Sequence, residues 1–317
     1  MDYFTIRKRG TQFLSLTGLH VEEFDYLIPT FHGLWRNYYR IHTIQGKKRQ
    51  TVLTNPMKDT PTLATLDEKL FFILVYLKNH SLQTMMAASF GFTQSQASKW
   101  QKILCPLLCE TLNRLGMLPL RDGHQVAQKL KDIGATKCFQ DASERLIQRP
   151  KDDDTQEQFY SGKKKAHTVK NNFVTLESQY IVYLSPTHQG TMHDKLIADE
   201  DELLFPNDIQ LFQDTGYQGF CPENIHLVQP FKKPKNKELT GLQKWFNQYT
   251  ARIRITVEHA ISGVKRCRFV KDKCRHFCQQ FRDQVVLIAT GLHNFRVCSP
   301  LRKYKAHFKF SLYFLAE

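Results

Sequence analysis

Three carboxylates stand out by their surroundings. Asp141 closes the short run ATKCFQD (135–141), and Asp214 closes DIQLFQD (208–214). Glu258 is the one carboxylate in the basic segment KWFNQYTARIRITVEHAISGVKRCR (244–268). Both runs read as strands ending in aspartate, the position where α/β folds place functional groups because strand ends converge there. Three carboxylates brought together from two strands and a helix make a hard-oxygen site for Mg²⁺ or Mn²⁺. Two such ions, roughly 3.5–4 Å apart, activate a water and stabilise the leaving oxygen of a phosphodiester. Spacing alone is a weak signal, since aspartates also initiate turns and cap helices. Glu258 one turn after Arg254 also fits a surface ion pair on a solvated helix face. His193-Asp194 is a second acidic candidate, with Asp194 either replacing Asp214 as a ligand or capping the following helix.

The elements that must position these groups follow from periodicity. In the Glu258 segment, Leu242, Trp245, Phe246, Tyr249, Ile253, Val257, Ala260, Ile261 and Val264 recur at strides of three and four, which predicts a long helix with a broad buried face. Ala251, Arg254, Glu258 and Lys265 fall on the opposite side. KKKAHTVKNNFVTLES and QYIVYLSP read as neighbouring strands or a hairpin, and IHLVQPF as a short strand. GTMHDKLIADEDELL becomes a helix, DQVVLIATGLHNFRVC reads as an apolar helix, and RPKDDDTQEQ and KKPKNK read as charged loops.

Upstream, a helix starts near Thr17–Phe24 and runs to about Gly33, followed by a basic loop through GKKRQ and Pro56–Pro61. Thr65 with Glu68, and Thr93 with Gln96, have capping-box spacing. Between them lie LFFILVYLKNH, the short helix SLQTMMAASF and the turn Gly91-Phe92-Thr93. This is a helix-turn-helix pattern. Its last helix opens with Gln94, Ser95, Gln96 and Ser98, which suit base edges, and carries Lys99 and Lys102, which suit phosphates. An ordinary three-helix bundle is the alternative. The tail YKAHFKFSLYFLAE alternates aromatics, as an edge strand or a partner-binding arm does.

Charge favours the nucleic-acid reading. The chain has 317 residues, a formal net charge of +15 and a pI near 9.4, the balance of a protein with a polyanionic partner. An acidic membrane surface is disfavoured, because the cations scatter through loops and one helix without an amphipathic anchor. The best apolar run, LFFILVYL, stops at Lys78, so no segment spans a bilayer, and MDYFTIRKRG lacks a signal-peptide core. A soluble cytoplasmic, nucleoid-associated protein is expected. The eight cysteines are irregularly spaced and read as reduced core thiols. Cys267, Cys274, His276 and Cys278 lie close in sequence, but without a CxxC pair they make a weak zinc site.

Seven motifs then point one way: DASE (141–144), YSGKKKAHTVK (160–170), GTMHD (190–194), DTGYQG (214–219), QPFKKPKNKELT (229–240), RIRITVEHAISGVKRCR (252–268) and GLHNFR (291–296). In this order, from Asp141 to Val297, they resemble the DDE-type transposases of bacterial insertion sequences, the branch related to PIF/Harbinger elements. The resemblance implies an α/β catalytic domain with an RNase H-like mixed sheet flanked by helices, preceded by an all-α helix-turn-helix domain. It implies Asp141, Asp214 and Glu258 as the catalytic, metal-holding triad, with Mg²⁺ or Mn²⁺, two ions per site. Related transposases carry a Tyr–Arg–Glu–Lys signature on the glutamate helix. Arg254, Glu258 and Lys265 fit it, while the tyrosine position falls on Ala251, so that element is missing or supplied by Tyr249. DASE departs from the more usual DGT-like sequence but keeps the aspartate.

The expected organisation is an N-terminal helical and basic-linker region (1–62), a helix-turn-helix domain (63–130), the catalytic domain (131–300) and a tail (301–317). The expected function is a DNA transposase that binds terminal inverted repeats, hydrolyses a phosphodiester and transfers the strand. Lys163, Lys164, Lys165, Lys232, Lys233 and the lysines up to 237 hold DNA backbone in this reading, with His193, Asp194, Arg254 and Lys265 as accessory groups. Joining two ends implies a homodimer or larger on double-stranded DNA. The rivals are a domesticated, non-cutting DNA-binding regulator and a metal-dependent endonuclease without strand transfer.

Overall fold

The computed structural model describes residues 1–54 and 62–302. The Pro56–Pro61 part of the expected linker and the aromatic tail from 304 onward lie outside the described residues. The chain divides into two compact units. One comprises Met1–Leu118, Lys265–Asp272 and Gln284–Ser299, and the other Pro119–Val264 with Lys273–Asp283.

The first unit is helical. It opens with α1 (Tyr3–Arg7), α2 (Gly10–Thr17) and α3 (Val21–Ile41). α2 stops at Gly18, whose φ of 80° is a left-handed end that suits glycine. α3 runs two turns past the expected end at Gly33: Leu34 and Trp35 prolong the buried stripe of Leu27 and Phe31, and the half-buried Tyr38 and Tyr39 lie against the Trp35 ring. Next come α4 (Leu66–Asn79), α5 (Gln83–Phe90) and α6 (Gln94–Arg114). Both capping boxes form: the Glu68 carboxylate accepts from the Thr65 N–H at 2.8 Å, and the Gln96 side chain from the Thr93 N–H at 2.8 Å. α5, the turn at Gly91 and α6 follow one another directly. Tyr3, Phe13, Phe24 and Phe71 meet in one aromatic cluster, with Phe13 and Phe24 edge-on at 5.2 Å.

The second unit holds the sheet. After α7 (Val126–Asp132), β1 runs over Lys137–Leu146. α8 (Asp153–Phe159) follows, a helix within the expected charged loop, capped by Asp152, which accepts from the Thr155 N–H at 2.8 Å. Then come β2 (Tyr160–Ser161), β3 (Ala166–Leu176), β4 (Ile181–Leu184), β5 (His188–Gln189), α9 (Asp194–Glu200), β6 (Gln210–Phe212), β7 (His226–Val228) and α10 (Gly241–Val264). β3 pairs antiparallel with β1 on one side and with β4 and β5 on the other. β1, β6 and β7 run parallel. An antiparallel hairpin beside β1, followed by two parallel strands, is the RNase H-like sheet order. The expected β3–β4 hairpin is present, and β3 is buried along nearly its whole length, as a central covered strand must be.

Two expectations need correction. β1 does not end at Asp141; it continues five residues to Leu146, its polar second half held by pairing with β3 from Asn172 to Thr168. And the apolar stripe of α10 is buried only from Thr250 and Val257 onward, while Leu242, Trp245 and Tyr249 are exposed. α10 packs on β1 and β3, and the first turns of the helix keep no such cover. The last elements among the described residues are α11 (Arg268–Lys271) and α12 (Gln279–Cys298). Among the described residues no helix is long and apolar enough to cross a membrane.

Candidate active site

Register brings two of the three carboxylates to one level. Phe139 of β1 is paired with Phe212 of β6, so Asp141 and Asp214, each two residues on, leave the same end of the parallel pair. One step earlier, Gln140 and Gln213 are joined side chain to side chain at 2.6 Å, and Gln229, just past β7, donates to Gln213 at 2.7 Å. Gln140 and Gln213 are buried, and this amide ladder fastens three strands immediately beneath the carboxylates, just past the last paired residues of β1 and β6. Beyond it, β6 gives way to a tight turn. Asp214 caps that turn, accepting from the Thr215 N–H at 2.8 Å.

Arg254 of α10 reaches this level and donates from Nη1 to Asp214 Oδ1 at 3.1 Å. It also lowers the pKa of Asp141, which accepts from the Ala142 N–H at 2.9 Å. Desolvation nevertheless dominates at Asp141 and pushes its carboxyl up to about 6, with Asp214 and Asp194 adding repulsion. The single guanidinium of Arg254 does not offset that desolvation. Donor chemistry and the shortage of positive charge therefore fit a hard divalent cation held by Asp141 and Asp214.

Residues 140–294 match the family model of the DDE superfamily endonucleases. That match takes in just under half of the chain. Over 157 residues it is 31% identical to the probable transposase for insertion sequence element IS702 of Microchaete diplosiphon, which covers 50% of this chain and 56% of that protein. The chain thus spans little more than half the length of the curated relative it matches. No solved structure matches the chain significantly.

Glu258 lies one helical turn beyond Arg254, within the stretch that matches the family model, and its side chain is exposed. Among the described residues, no three acidic, histidine or cysteine side chains stand close enough to hold a metal ion together. So the structure brings together Asp141, Asp214 and Arg254, and leaves Glu258 outside that cluster.

Asp194 forms a neighbouring group. Its carboxylate accepts from Lys170 Nζ at 2.9 Å and lies against the Asp214 turn, so close that a Cβ at Gly216 would sit 2.8 Å from its Oδ2. Lys170 also donates to the Met192 carbonyl at 2.8 Å and stands 3.9 Å from Glu144. The cap of α9 is His193, with Asp194 in the first helical turn. Tyr217, wholly buried below, donates to Asn172 at 2.9 Å. Burial and the nearby aspartates raise its phenol well above the usual range. Lys170 and Tyr217 were within reach of sequence reading: both lie in the motifs quoted, but neither residue type draws attention as a site-shaping group in a strand or turn. The glutamine ladder carries no such signal, because only the strand register makes Gln140 and Gln213 neighbours.

The remaining candidates scatter over surfaces. Lys163, Lys164 and Lys165 occupy the exposed turn between β2 and β3, and Lys232 and Lys233 an exposed loop where Lys233 pairs with Glu238. Lys265 follows the end of α10 and is half-buried. In the helical unit, Ser95, Lys99 and Lys102 share one exposed stripe of α6, while Gln94 donates to Gln83 and Gln96 is used in its cap; Ser98 is half-buried.

Proposed function

We propose that this chain is a DNA transposase that acts on the ends of an insertion sequence. The observation that carries the reading is the Asp141–Asp214 pair at one level of neighbouring parallel strands, with Arg254 on it, inside a domain of a nuclease family. The similarity to a transposase of another insertion sequence supports it. Asp141 and Asp214 would hold two divalent cations, Mg²⁺ or Mn²⁺, with Glu258 as a further ligand from α10. When bound, such ions would supply an activated water and a Lewis acid at the leaving oxygen.

The chain's own residues do the rest. Arg254, already at the carboxylates, turns to the scissile phosphate and binds its non-bridging oxygens. Water adds to phosphorus, the P–O3′ bond breaks, and the 3′ oxygen leaves as a hydroxyl once protonated. That hydroxyl then attacks a phosphodiester of target DNA. One P–O bond forms as another breaks, so strand transfer needs no external energy source. Lys163, Lys164, Lys165 and Lys232 hold backbone phosphates. The α5–α6 motif reads the terminal inverted repeats through Ser95, Lys99 and Lys102, and two copies act together because two ends are joined.

The test uses the purified chain and a duplex carrying the element's own end. Mg²⁺-dependent cleavage at the element boundary, absent in Asp214→Ala, supports the reading. Tight binding of that duplex without cleavage, with Mn²⁺ also tried, would replace it by a non-cutting DNA-binding regulator.

A further inference from the structure

The first half of α10 leaves an aromatic face uncovered. Leu242, Trp245 and Tyr249 recur at three and four residues on one side and are 81%, 63% and 50% exposed. The Trp245 and Tyr249 rings lie nearly parallel, 10° apart with centroids at 5.7 Å, so they form one flat stack. Isolated apolar residues on a surface are ordinary, but a tryptophan and a tyrosine stacked in solvent form a contiguous apolar patch, which marks an interaction site. Trp35 and Trp100, the other two tryptophans, are 2% and 1% exposed.

The surroundings select the occupant. The loop 229–240 is fastened beside the helix by Asn247, which accepts from the Phe231 N–H at 2.8 Å and donates to the Phe231 carbonyl at 2.9 Å. Phe231 in turn meets Phe246 edge-on at 5.3 Å. From residue 229 to 252, that loop and the first half of the helix carry Lys232, Lys233, Lys235, Lys237, Lys244 and Arg252 against a single carboxylate, Glu238. Glu238 is already shared between Lys233 and Lys244. Arg252, one turn past Tyr249, continues the stripe. A second copy of this surface would be repelled by its own charge. A polyanion with free π-faces satisfies both halves of the patch. Unpaired nucleotides are such a partner: their phosphates meet the cations and their bases stack on the rings. Paired bases inside a duplex offer only their edges.

We propose that the Trp245–Tyr249 face of α10, with the lysine loop beside it, is a stacking platform for unpaired DNA bases. The inference rests on the reading of the chain as an enzyme acting on DNA, and adds a subsite to it. At about 100° per residue, Trp245 lies on the opposite side of α10 from Arg254, so changes here leave the carboxylates untouched.

Tryptophan emission provides the test, since Trp245 is the exposed fluorophore. Wild type is titrated with short oligothymidylate and followed by that emission; wild type, Trp245→Phe and Trp245→Ala are then compared by the anisotropy of dye-labelled oligothymidylate and, separately, of a dye-labelled blunt duplex. Oligothymidylate should quench wild-type emission. Trp245→Ala should bind the single strand about 5- to 150-fold more weakly, Trp245→Phe much less so, with duplex affinity unchanged. Lys232→Gln with Lys235→Gln should flatten the salt dependence of single-strand binding. Duplex binding that persists while Trp245→Ala binds single strands like wild type overturns the platform and leaves the DNA reading standing. Failure to bind either DNA overturns both. Emission that shifts with protein concentration alone assigns the face to a second copy and overturns the platform.

Discussion

Replacing Asp141 by asparagine should stabilise the protein at pH 8 while abolishing its proposed chemistry. The carboxyl is pushed from 3.8 up to about 6 by desolvation, so its ionised form is disfavoured in the folded state. Between these values the folded state binds more protons than the unfolded one, and stability falls as pH rises through that window. Above about pH 6 the loss is complete. A shift of this size corresponds to about 3 kcal/mol, and partial exposure of the side chain reduces that to roughly 2 kcal/mol. Asparagine keeps the oxygen that accepts from the Ala142 N–H, and Arg254 keeps Asp214. Urea unfolding at pH 4.5 and pH 8 reads the effect: the advantage of Asp141→Asn over wild type should grow by about 1 kcal/mol between the two, the rest being already present at pH 4.5. Mg²⁺ at pH 8 should narrow the gap by stabilising only wild type. A variant less stable than wild type at pH 8 would refute the reasoning, because Asp141 would then be a satisfied structural carboxylate.

Other sites give independent checks. Gly190→Ala places a Cβ 1.9 Å from Thr168 Oγ1 and 2.6 Å from the Thr168 carbonyl, and overpacking of that kind should cost about 1–3 kcal/mol in thermal unfolding. An unchanged melting temperature would mean that β5 does not sit against β3 there. Tyr217→Phe leaves Asn172 Oδ1 without its buried donor and should cost about 1–2 kcal/mol, read by urea unfolding; no loss would mean the phenol hydrogen bond is not made. Lys99→Gln with Lys102→Gln should lower the log–log salt slope of end-duplex binding by about 2, measured by fluorescence anisotropy. An unchanged slope would place the phosphate contacts of the end elsewhere.

Much of this architecture is legible in the sequence, for local reasons. The capping boxes at Thr65 and Thr93 are decided within four residues, and both form. Asp214 is found because β6 is apolar and stops in a glycine-punctuated turn. Less visible is what depends on distant partners. β1 runs on through Ser143, Glu144 and Arg145, a stretch without strand alternation, because Arg145 finds Asn171 at 2.7 Å and Glu144 faces Lys170 across the register. Asp152 followed by acidic residues is a helix start that its own charge disguises as a loop. Periodicity predicts an apolar stripe on α10 but does not say how far the sheet extends beneath it, which is why Trp245 and Tyr249 read as core and are exposed. Glu258 is picked out by its basic setting and by the resemblance, and its exposed side chain gives it no local partner to confirm either.

The central claim is that Asp141, Asp214 and Glu258 serve one metal site. The direct measurement is a Mn²⁺ titration followed by electron paramagnetic resonance, on the chain bound to its end duplex, for wild type and for Asp141→Asn, Asp214→Asn, Glu258→Gln and Asp194→Asn. The account predicts that the first three variants each weaken the same site, and that Asp194→Asn retains it. Retention of wild-type Mn²⁺ binding by Glu258→Gln, with loss in Asp194→Asn, would contradict it and make Asp194 the third carboxylate.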